Sequence, residues 1–302
     1  MFGEGAGGIS GEDKLRNEKM NGKITALIQA LELSDQHISE DIVLIDASSD
    51  KNARLNYDEK HLDGAIFVNL NTQLADIKED ASLGGRHPLP SVEKFSETLS
   101  ALGITEKSHV IIYDHSNGAN AAARFWWMLR SAGHEKVQVL NGGFAAAEKA
   151  GVPVNNKSVQ IKKASGYKIE KWKLPTADMA EVERAAQESD HIVIDVRDTE
   201  RFKGHTEPFD VVAGHIPGAI NIPFATNLDD QGLFLQPNEL KKKYQEIFGD
   251  IKTENIIVHC GSGVTACHTL LAADHADLKI PKLYVGSWSE WSRNNKPIAM
   301  EP

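Results

Sequence analysis

ENIIVHCGSGVTACHTLLAADHAD, residues 254–277, has a counterpart earlier in the chain, SHVIIYDHSNGANAAARFWWMLRSAG, residues 108–133. Each stretch begins with a short β-branched run, continues through a loop containing Ser and Gly, and ends in an Ala-rich segment. A β-branched run predicts a buried strand, and the glycines predict a tight turn before a helix. Both stretches therefore predict a strand, a loop and a helix in the same order.

Three further pairs of segments match in the same order along the chain. They are DIVLIDAS (41–48) with HIVIDVRD (191–198), HLDGAIFVNL (61–70) with HIPGAINIPF (215–224), and KVQVLNGGFAAAEKAGVPV (136–154) with KLYVGSWSEWSRNNKPI (282–298). Matched blocks at similar spacing indicate a duplicated domain. Because strands alternate with helical segments, we predict an α/β fold of two tandem domains, each a mostly parallel sheet flanked by helices.

The length of 302 residues also favours two domains over one core. We predict a flexible tail over 1–22, a first domain over 23–154, a Lys-rich linker over 155–175 and a second domain over 176–302. The N-terminal tail is Gly-rich and charged and lacks the apolar region of a secretory signal.

Composition excludes several classes of partner. The net charge of -10 argues against nucleic acid and anionic membranes, which both require a basic face, but it permits a small anionic substrate. No apolar run approaches the roughly 20 residues of a membrane-spanning helix. Two cysteines cannot form a disulfide framework, so we expect a reducing compartment and a cytoplasmic protein.

Cys260 is the candidate nucleophile, and the first repeat carries Asp114 at the same place. The cysteine lies between a strand and a helix, where parallel sheets carry their chemistry. Its Gly-rich loop turns backbone N–H groups inward, and the helix adds its positive end, so both favour the nucleophilic thiolate. Cys267 is expected to be a core residue. His259, Cys260, Cys267 and His268 contain no C-x-x-C pair, so we predict no metal and no cofactor.

The loop CGSGVTA (260–266), the two blocks of DxR and HxPGA type and the WWMLR helix resemble the tandem-domain rhodaneses over about residues 24–300. The loop is similar to that of the 3-mercaptopyruvate sulfurtransferase branch. This resemblance implies an inactive first domain and a catalytic second domain. It also implies that sulfane sulfur moves from 3-mercaptopyruvate, through a Cys260 persulfide, to a thiol, thioredoxin or cyanide.

The resemblance assigns roles to further residues. Arg201 matches the arginine that grips the carboxylate or sulfonate of the donor, for which a guanidinium is suited. Ser262 is expected to polarise the donor carbonyl. His61 of the first domain is expected to join Ser262 across the interface. The substrate-binding loop comprises Gly261, Gly263, Val264 and Thr265, and the residues expected to brace the fold are Asp46, Arg124, Asp195 and Arg197.

One departure from the family pattern and two alternatives remain open, while a third alternative, a phosphatase, is discarded. Mercaptopyruvate enzymes usually carry a second arginine after an EPEP-like stretch, where this chain has Phe209-Asp210. Thiosulfate sulfurtransferases carry basic residues directly after the cysteine, whereas Gly261 and Ser262 are neutral, which favours mercaptopyruvate. A dual-specificity phosphatase needs an arginine where this chain has Ala266. A non-catalytic persulfide-binding scaffold would need neither the loop nor Arg201.

Overall fold

The computed structural model describes residues 24–35, 41–164 and 166–301. The predicted tail over 1–22 lies outside the described residues. Within the described ranges, no helix is both long enough and apolar enough to cross a bilayer.

The first domain is built on a parallel sheet with the strand order β1-β6-β5-β2-β4. A separate antiparallel pair, β3 and β7, lies at one end of the domain. The strands are β1 (Leu27–Ile28), β2 (Ile42–Asp46), β3 (His61–Leu62), β4 (Ile66–Phe67), β5 (His109–Tyr113), β6 (Val137–Leu140) and β7 (Val154–Asn155).

The second domain repeats this sheet, in the order β8-β12-β11-β9-β10, again with every pair parallel. An isolated antiparallel bridge between His215 and Ala299 stands where the first domain has β3 and β7. The strands are β8 (Thr176–Ala177), β9 (Ile192–Asp195), β10 (Ile220–Asn221), β11 (Ile256–His259) and β12 (Lys282–Tyr284).

Helices flank both sheets, as predicted. Those of the first domain are α1 (Ala30–Asp35), α2 (Ala53–Glu59), α3 (Leu70–Gln73), α4 (Val92–Ala101), α5 (Ala121–Ala132) and α6 (Gly143–Lys149). Those of the second domain are α7 (Met179–Ala185), α8 (Thr199–Lys203), α9 (Pro237–Phe248), α10 (Ala266–His275) and α11 (Ser287–Trp291), with 3₁₀ turns at Phe224–Asn227 and Thr253–Asn255.

Equivalent backbone hydrogen bonds in the two domains confirm the duplication. The N–H of Phe144 donates to the carbonyl of Asp114 at 3.0 Å, and the N–H of Trp288 donates to the carbonyl of Cys260 at the same distance. In each domain the bond joins the loop after a central strand to the helix that follows the next strand. The two candidate loops are therefore held by the same backbone scaffold.

The two domains pack through the helices that follow these loops. Helices α5 and α10 contact each other, and their apolar side chains belong to one continuous hydrophobic core. The segment 166–174, predicted as linker, lies against the first domain. There the Tyr167 hydroxyl is 2.8 Å from Nδ1 of His134, and the ring of Trp172 is 5.2 Å from that of Phe95. The domain limits themselves stay predictions.

Candidate active site

Cys260 lies directly after β11 and six residues before the first residue of α10, at the carboxyl end of a central strand. The residue is buried, with 3% of its surface exposed. Its N–H donates to the hydroxyl of Ser287 at 3.2 Å, which ties the loop to the first residue of α11, just past the turn that follows β12. Gly263 has a φ of +73°, and a Cβ there would overlap the carbonyl oxygen of Val285. The loop therefore requires glycine at this position, both for its backbone conformation and for its close approach to that turn.

In the first domain, the equivalent loop surrounds a carboxylate. Asp114, in the place of Cys260, is completely buried, and its carboxylate accepts hydrogen bonds from four backbone N–H groups. Those of Ser116 and Gly118 lie at 2.8 Å. Inward-facing N–H groups at a helix start form a nest for anions. The fold therefore offers an anion site at the position that Cys260 occupies in the second domain.

A segment of the first domain crosses to the Cys260 loop. We call residues 82–87 the crossing segment. The carbonyl of Ser82 accepts from Nδ2 of Asn294 at 2.9 Å, and the N–H of Gly84 donates to Oε1 of Glu290 at 3.0 Å. The N–H of Arg86 donates to the hydroxyl of Ser289 at 3.0 Å. These contacts fix the segment against α11 and the residues that follow it.

His87, at the end of the crossing segment, contacts Ser262. Its Nδ1 lies 2.9 Å from Oγ of Ser262, and its Nε2 lies 3.2 Å from Oδ1 of Asn71. Burial, together with the charges of Arg86 and Arg124, lowers the pKa of His87 to about 4, so the ring is neutral at physiological pH. An amide can accept from or donate to a ring nitrogen, so Asn71 is compatible with either tautomer. With the Asn71 amide turned so that its N–H faces Nε2, the proton lies on Nδ1, and the ring donates to Ser262 and leaves the hydroxyl hydrogen free to bind a substrate oxygen.

The expectation for His61 is wrong. Its Nδ1 lies 2.6 Å from the carbonyl oxygen of Tyr57, and its Nε2 lies 3.1 Å from that of Lys157. The ring also stacks on Tyr57, as His215 stacks on Phe202 in the second domain. Both repeat histidines therefore hold their own domains together, and the histidine on Ser262 is His87. His87 lies outside the repeated blocks, so the repeats do not point to it. The sequence feature that could have indicated a close backbone approach is the glycine pair Gly84-Gly85 just before it.

Arg201 lies in α8, whose start is capped by Asp198. Its Nη2 donates to both oxygens of Glu207, at 2.8 and 3.0 Å. A Cβ on Gly261 would lie 3.2 Å from Nη2 of Arg201, so the guanidinium borders the residue after Cys260. The structure thus brings Arg201 and the Cys260 loop together.

The remaining residues singled out in the sequence support the loop. Arg124, from α5, is fully buried and donates from Nη1 to the carbonyl of Gly263 and from Nη2 to the carbonyl of His87, both at 3.1 Å. Arg197 binds Asp195 at 2.6 Å within the second domain. Burial raises the pKa of Cys267 to about 12, which keeps it a thiol. Val264 and Thr265 complete the turn into α10.

Comparison with known proteins identifies relatives over most of the chain. Residues 29–150 and 178–294 each match the rhodanese-like domain. A probable 3-mercaptopyruvate sulfurtransferase of Pseudomonas aeruginosa is 36% identical over 80% of this chain and 85% of its own length. A thiosulfate sulfurtransferase of Gallus gallus is 34% identical over 90% of this chain and 95% of its own.

Solved structures resemble the whole two-domain arrangement. The 3-mercaptopyruvate sulfurtransferase from Leishmania major superposes with a TM-score of 0.77 at 28% identity, covering 90% of this chain and 74% of its own. SseA from Escherichia coli, described as a 3-mercaptopyruvate sulfotransferase of the rhodanese fold, superposes with a TM-score of 0.73 at 31% identity. The match covers 88% of this chain and 100% of that one.

Proposed function

We propose, because this chain belongs to the rhodanese-like family and is a sulfurtransferase, that Cys260 takes sulfane sulfur from 3-mercaptopyruvate as a persulfide and passes it to an acceptor thiol or to cyanide. The acceptor thiol in this proposal includes thioredoxin. The catalytic groups are Cys260 and Ser262, with His87 behind the serine. Arg201 and the loop residues Gly261, Gly263, Val264 and Thr265 bind the donor.

The chemistry requires three events at the donor. The Cys260 thiolate attacks the sulfur of mercaptopyruvate, forming the S–S bond while the C–S bond breaks. The electron pair of the C–S bond moves onto the pyruvate fragment, which leaves as an enolate and takes up the donor thiol proton to become pyruvate. A hydrogen-bond donor at the enolate oxygen stabilises the charge as it develops. The acceptor thiolate then removes the outer sulfur and releases the Cys260 thiolate.

The hydrogen bond between Ser262 and His87 is the observation that carries this proposal. This hydrogen bond orients the Ser262 hydroxyl, two residues after Cys260, through the neutral imidazole of His87. A hydroxyl held in this way can donate to the oxygen of a developing enolate. Thiosulfate has no carbonyl and would make no use of this pair. The absence of a basic side chain at Gly261 and Ser262 also favours a donor with one carboxylate over a compact dianion.

The proposed setting is a reducing compartment such as the cytoplasm. Both cysteines are free thiols, which supports that setting. The net charge of -10 permits a small anion as a partner and argues against nucleic acid and anionic membranes.

The test offers mercaptopyruvate and thiosulfate separately to the protein without acceptor and maps added sulfur by fragment-ion mass spectrometry. We expect one sulfur on Cys260 with mercaptopyruvate, none in Cys260→Ser, and full loading in Cys267→Ser. Faster loading from thiosulfate would make the protein a thiosulfate:cyanide sulfurtransferase. Loading from neither donor would leave a persulfide-binding scaffold, and sulfur on Cys267 would refute the site.

A further inference from the structure

We propose that the exposed apolar side chains of the loop after Glu207 form the docking surface for a protein that accepts the sulfur, a protein dithiol of the thioredoxin kind. We call residues 208–212 the entrance loop. The inference rests on the proposed function, because it names the surface through which that acceptor reaches Cys260. It gives a role to apolar residues that the reaction with the donor leaves unused.

Three apolar side chains of the entrance loop face the solvent. Phe209 is 62% exposed, Val211 is 67% exposed and Val212 is 37% exposed. Exposed apolar side chains grouped in one place mark surfaces that bind other proteins. Aromatic residues are enriched at the centres of such interfaces. The entrance loop therefore has the composition of a protein-binding surface, which a small polar thiol would not require.

The backbone of the entrance loop is fixed, although these side chains are exposed. The N–H groups of Phe209 and Asp210 donate to Oε1 of Glu207, at 3.1 and 3.2 Å. The carbonyl of Val212 accepts from Nε1 of the buried Trp288 at 2.9 Å. A surface that is already held in one conformation loses little entropy when a partner binds. The entrance loop is therefore prepared for docking.

The entrance loop also borders the approach to Cys260. The centroid of the Phe209 ring is 5.1 Å from the guanidinium carbon of Arg201. Nη2 of Arg201 would lie 3.2 Å from a Cβ built on Gly261, the residue after Cys260. Cys260 is 3% exposed, so an attacking thiol has to enter between the groups that border its loop. Because a cysteine side chain is short, a protein thiol that reaches Cys260 brings the surface around it against Phe209.

Transfer to a dithiol needs no further reactant. One thiolate of the acceptor attacks the outer sulfur of the Cys260 persulfide, the S–S bond breaks, and Cys260 leaves as a thiolate. The second thiol of the acceptor then attacks the cysteine sulfur that carries the new persulfide. The acceptor disulfide forms, and hydrosulfide leaves with the electron pair of the broken bond and the proton of the second thiol. The dithiol is thereby oxidised and the sulfane sulfur reduced.

Discharge of the Cys260 persulfide by reduced thioredoxin and by dithiothreitol tests this surface. Cys260 is first loaded with inorganic polysulfide, so that the measurement does not depend on the donor, and the second-order rates of sulfide release are compared. Val211→Ser should lower the rate with thioredoxin about fivefold, and Phe209→Ser about tenfold, as loss of interface contacts would. The rate with dithiothreitol, which is too small to need the surface, should stay within about twofold in Val211→Ser.

Leu55→Ser is the matched control for Val211→Ser. Leu55 is 68% exposed, but its helix, α2, contacts β3 of the first domain. The substitution removes a comparable exposed apolar side chain from a different surface. Leu55→Ser should therefore keep the rates with both acceptors within about twofold of the wild-type values.

Unchanged rates with thioredoxin in Val211→Ser and Phe209→Ser would overturn the proposal, as would equal falls with both acceptors in Val211→Ser. Light scattering on the same samples reports the oligomeric state. A changed oligomeric state with unchanged rates would assign the entrance loop to a second copy of this chain, which also overturns the proposal. Loading of Cys260 by polysulfide but not by mercaptopyruvate would refute the proposed donor alone, since discharge still reports on the surface.

Discussion

Ser262 and His87 form a pair whose effect depends on the chemistry of the donor. The serine lies on the Cys260 loop, and Nδ1 of the histidine, from the other domain, is 2.9 Å from its Oγ. A neutral ring can orient the hydroxyl without adding a charge that would bind every anion equally. The pair is therefore expected to discriminate between a donor with a carbonyl and a donor without one.

Ser262→Ala tests this expected discrimination between donors, because it removes only the hydroxyl. Removing one donor from a developing oxyanion typically lowers the rate about 100-fold or more. We expect such a loss in the rate of Cys260 persulfide formation from mercaptopyruvate, measured by single-turnover kinetics. Loading from thiosulfate, which has no carbonyl, serves as the control and should change by less than about threefold. Equal losses with both donors would mean that the hydroxyl shapes the loop only.

The crossing segment brings residues of the first domain to the site on the second domain. Gly85 has a φ of +80°, and a Cβ there would overlap the carbonyl oxygen of Gly286 and lie 2.7 Å from Oγ of Ser289. Because the backbone of Gly85 lies so close to Gly286, Arg86 and His87 lie next to the Cys260 loop. Any side chain at residue 85 should push the segment away from α11.

Gly85→Ala can be compared with Gly64→Ala, which shares its backbone strain. Gly64 has a φ of +79°, but a Cβ there would meet nothing within 4 Å. Both variants should lose about 1–2 kcal/mol of stability from the left-handed conformation. Only Gly85→Ala should also lose most of its sulfur transfer, about tenfold or more, because His87 withdraws from Ser262. Urea unfolding and persulfide formation measure the two effects, and equal activities would contradict the assignment.

Repeated elements could be predicted from the sequence, and contacts between the domains could not. Periodicity and the matched blocks predict both sheets, and the Gly-rich loop after β11 singles out Cys260. His87 and Arg86 lie in a segment that has no matched block, and the local signal is limited to the glycine pair Gly84-Gly85 before them. Their importance arises from contacts with residues about 175 to 200 positions away, such as Ser262 and Ser289. Resemblance alone selected His61, whose ring binds its own domain.

Across the whole molecule, buried histidines make stability depend on pH. Burial lowers the pKa of His268 to about 3 and that of His275 to about 4, and His87 also has a pKa near 4. Unfolded histidines titrate near 6.5, so between about pH 4 and 6.5 the unfolded chain binds more protons than the folded one. These groups therefore contribute their full stability above pH 6.5, and the contribution falls as the pH decreases towards 4.

Urea unfolding at pH 7.5, 6.0 and 5.0 should show this dependence. The free energy of unfolding should change little above pH 6.5 and then fall, by up to about 1.4 kcal/mol per histidine per pH unit. His268→Gln should flatten the slope, because it removes one of the three groups. A midpoint that stays constant from pH 7.5 to 5.0 would contradict the burial of neutral rings.

The packing of α5 against α10 and the crossing segment together determine the order in which function can appear during folding. His87 belongs to the half of the chain that is synthesised first, yet it lacks its partner Ser262 until the second half has folded and docked. A newly made first domain therefore lacks both Cys260 and the helix α10 that completes its core. Sulfur transfer should begin only at the last, interdomain step of folding, so that reactive persulfide is never formed on a partly assembled chain.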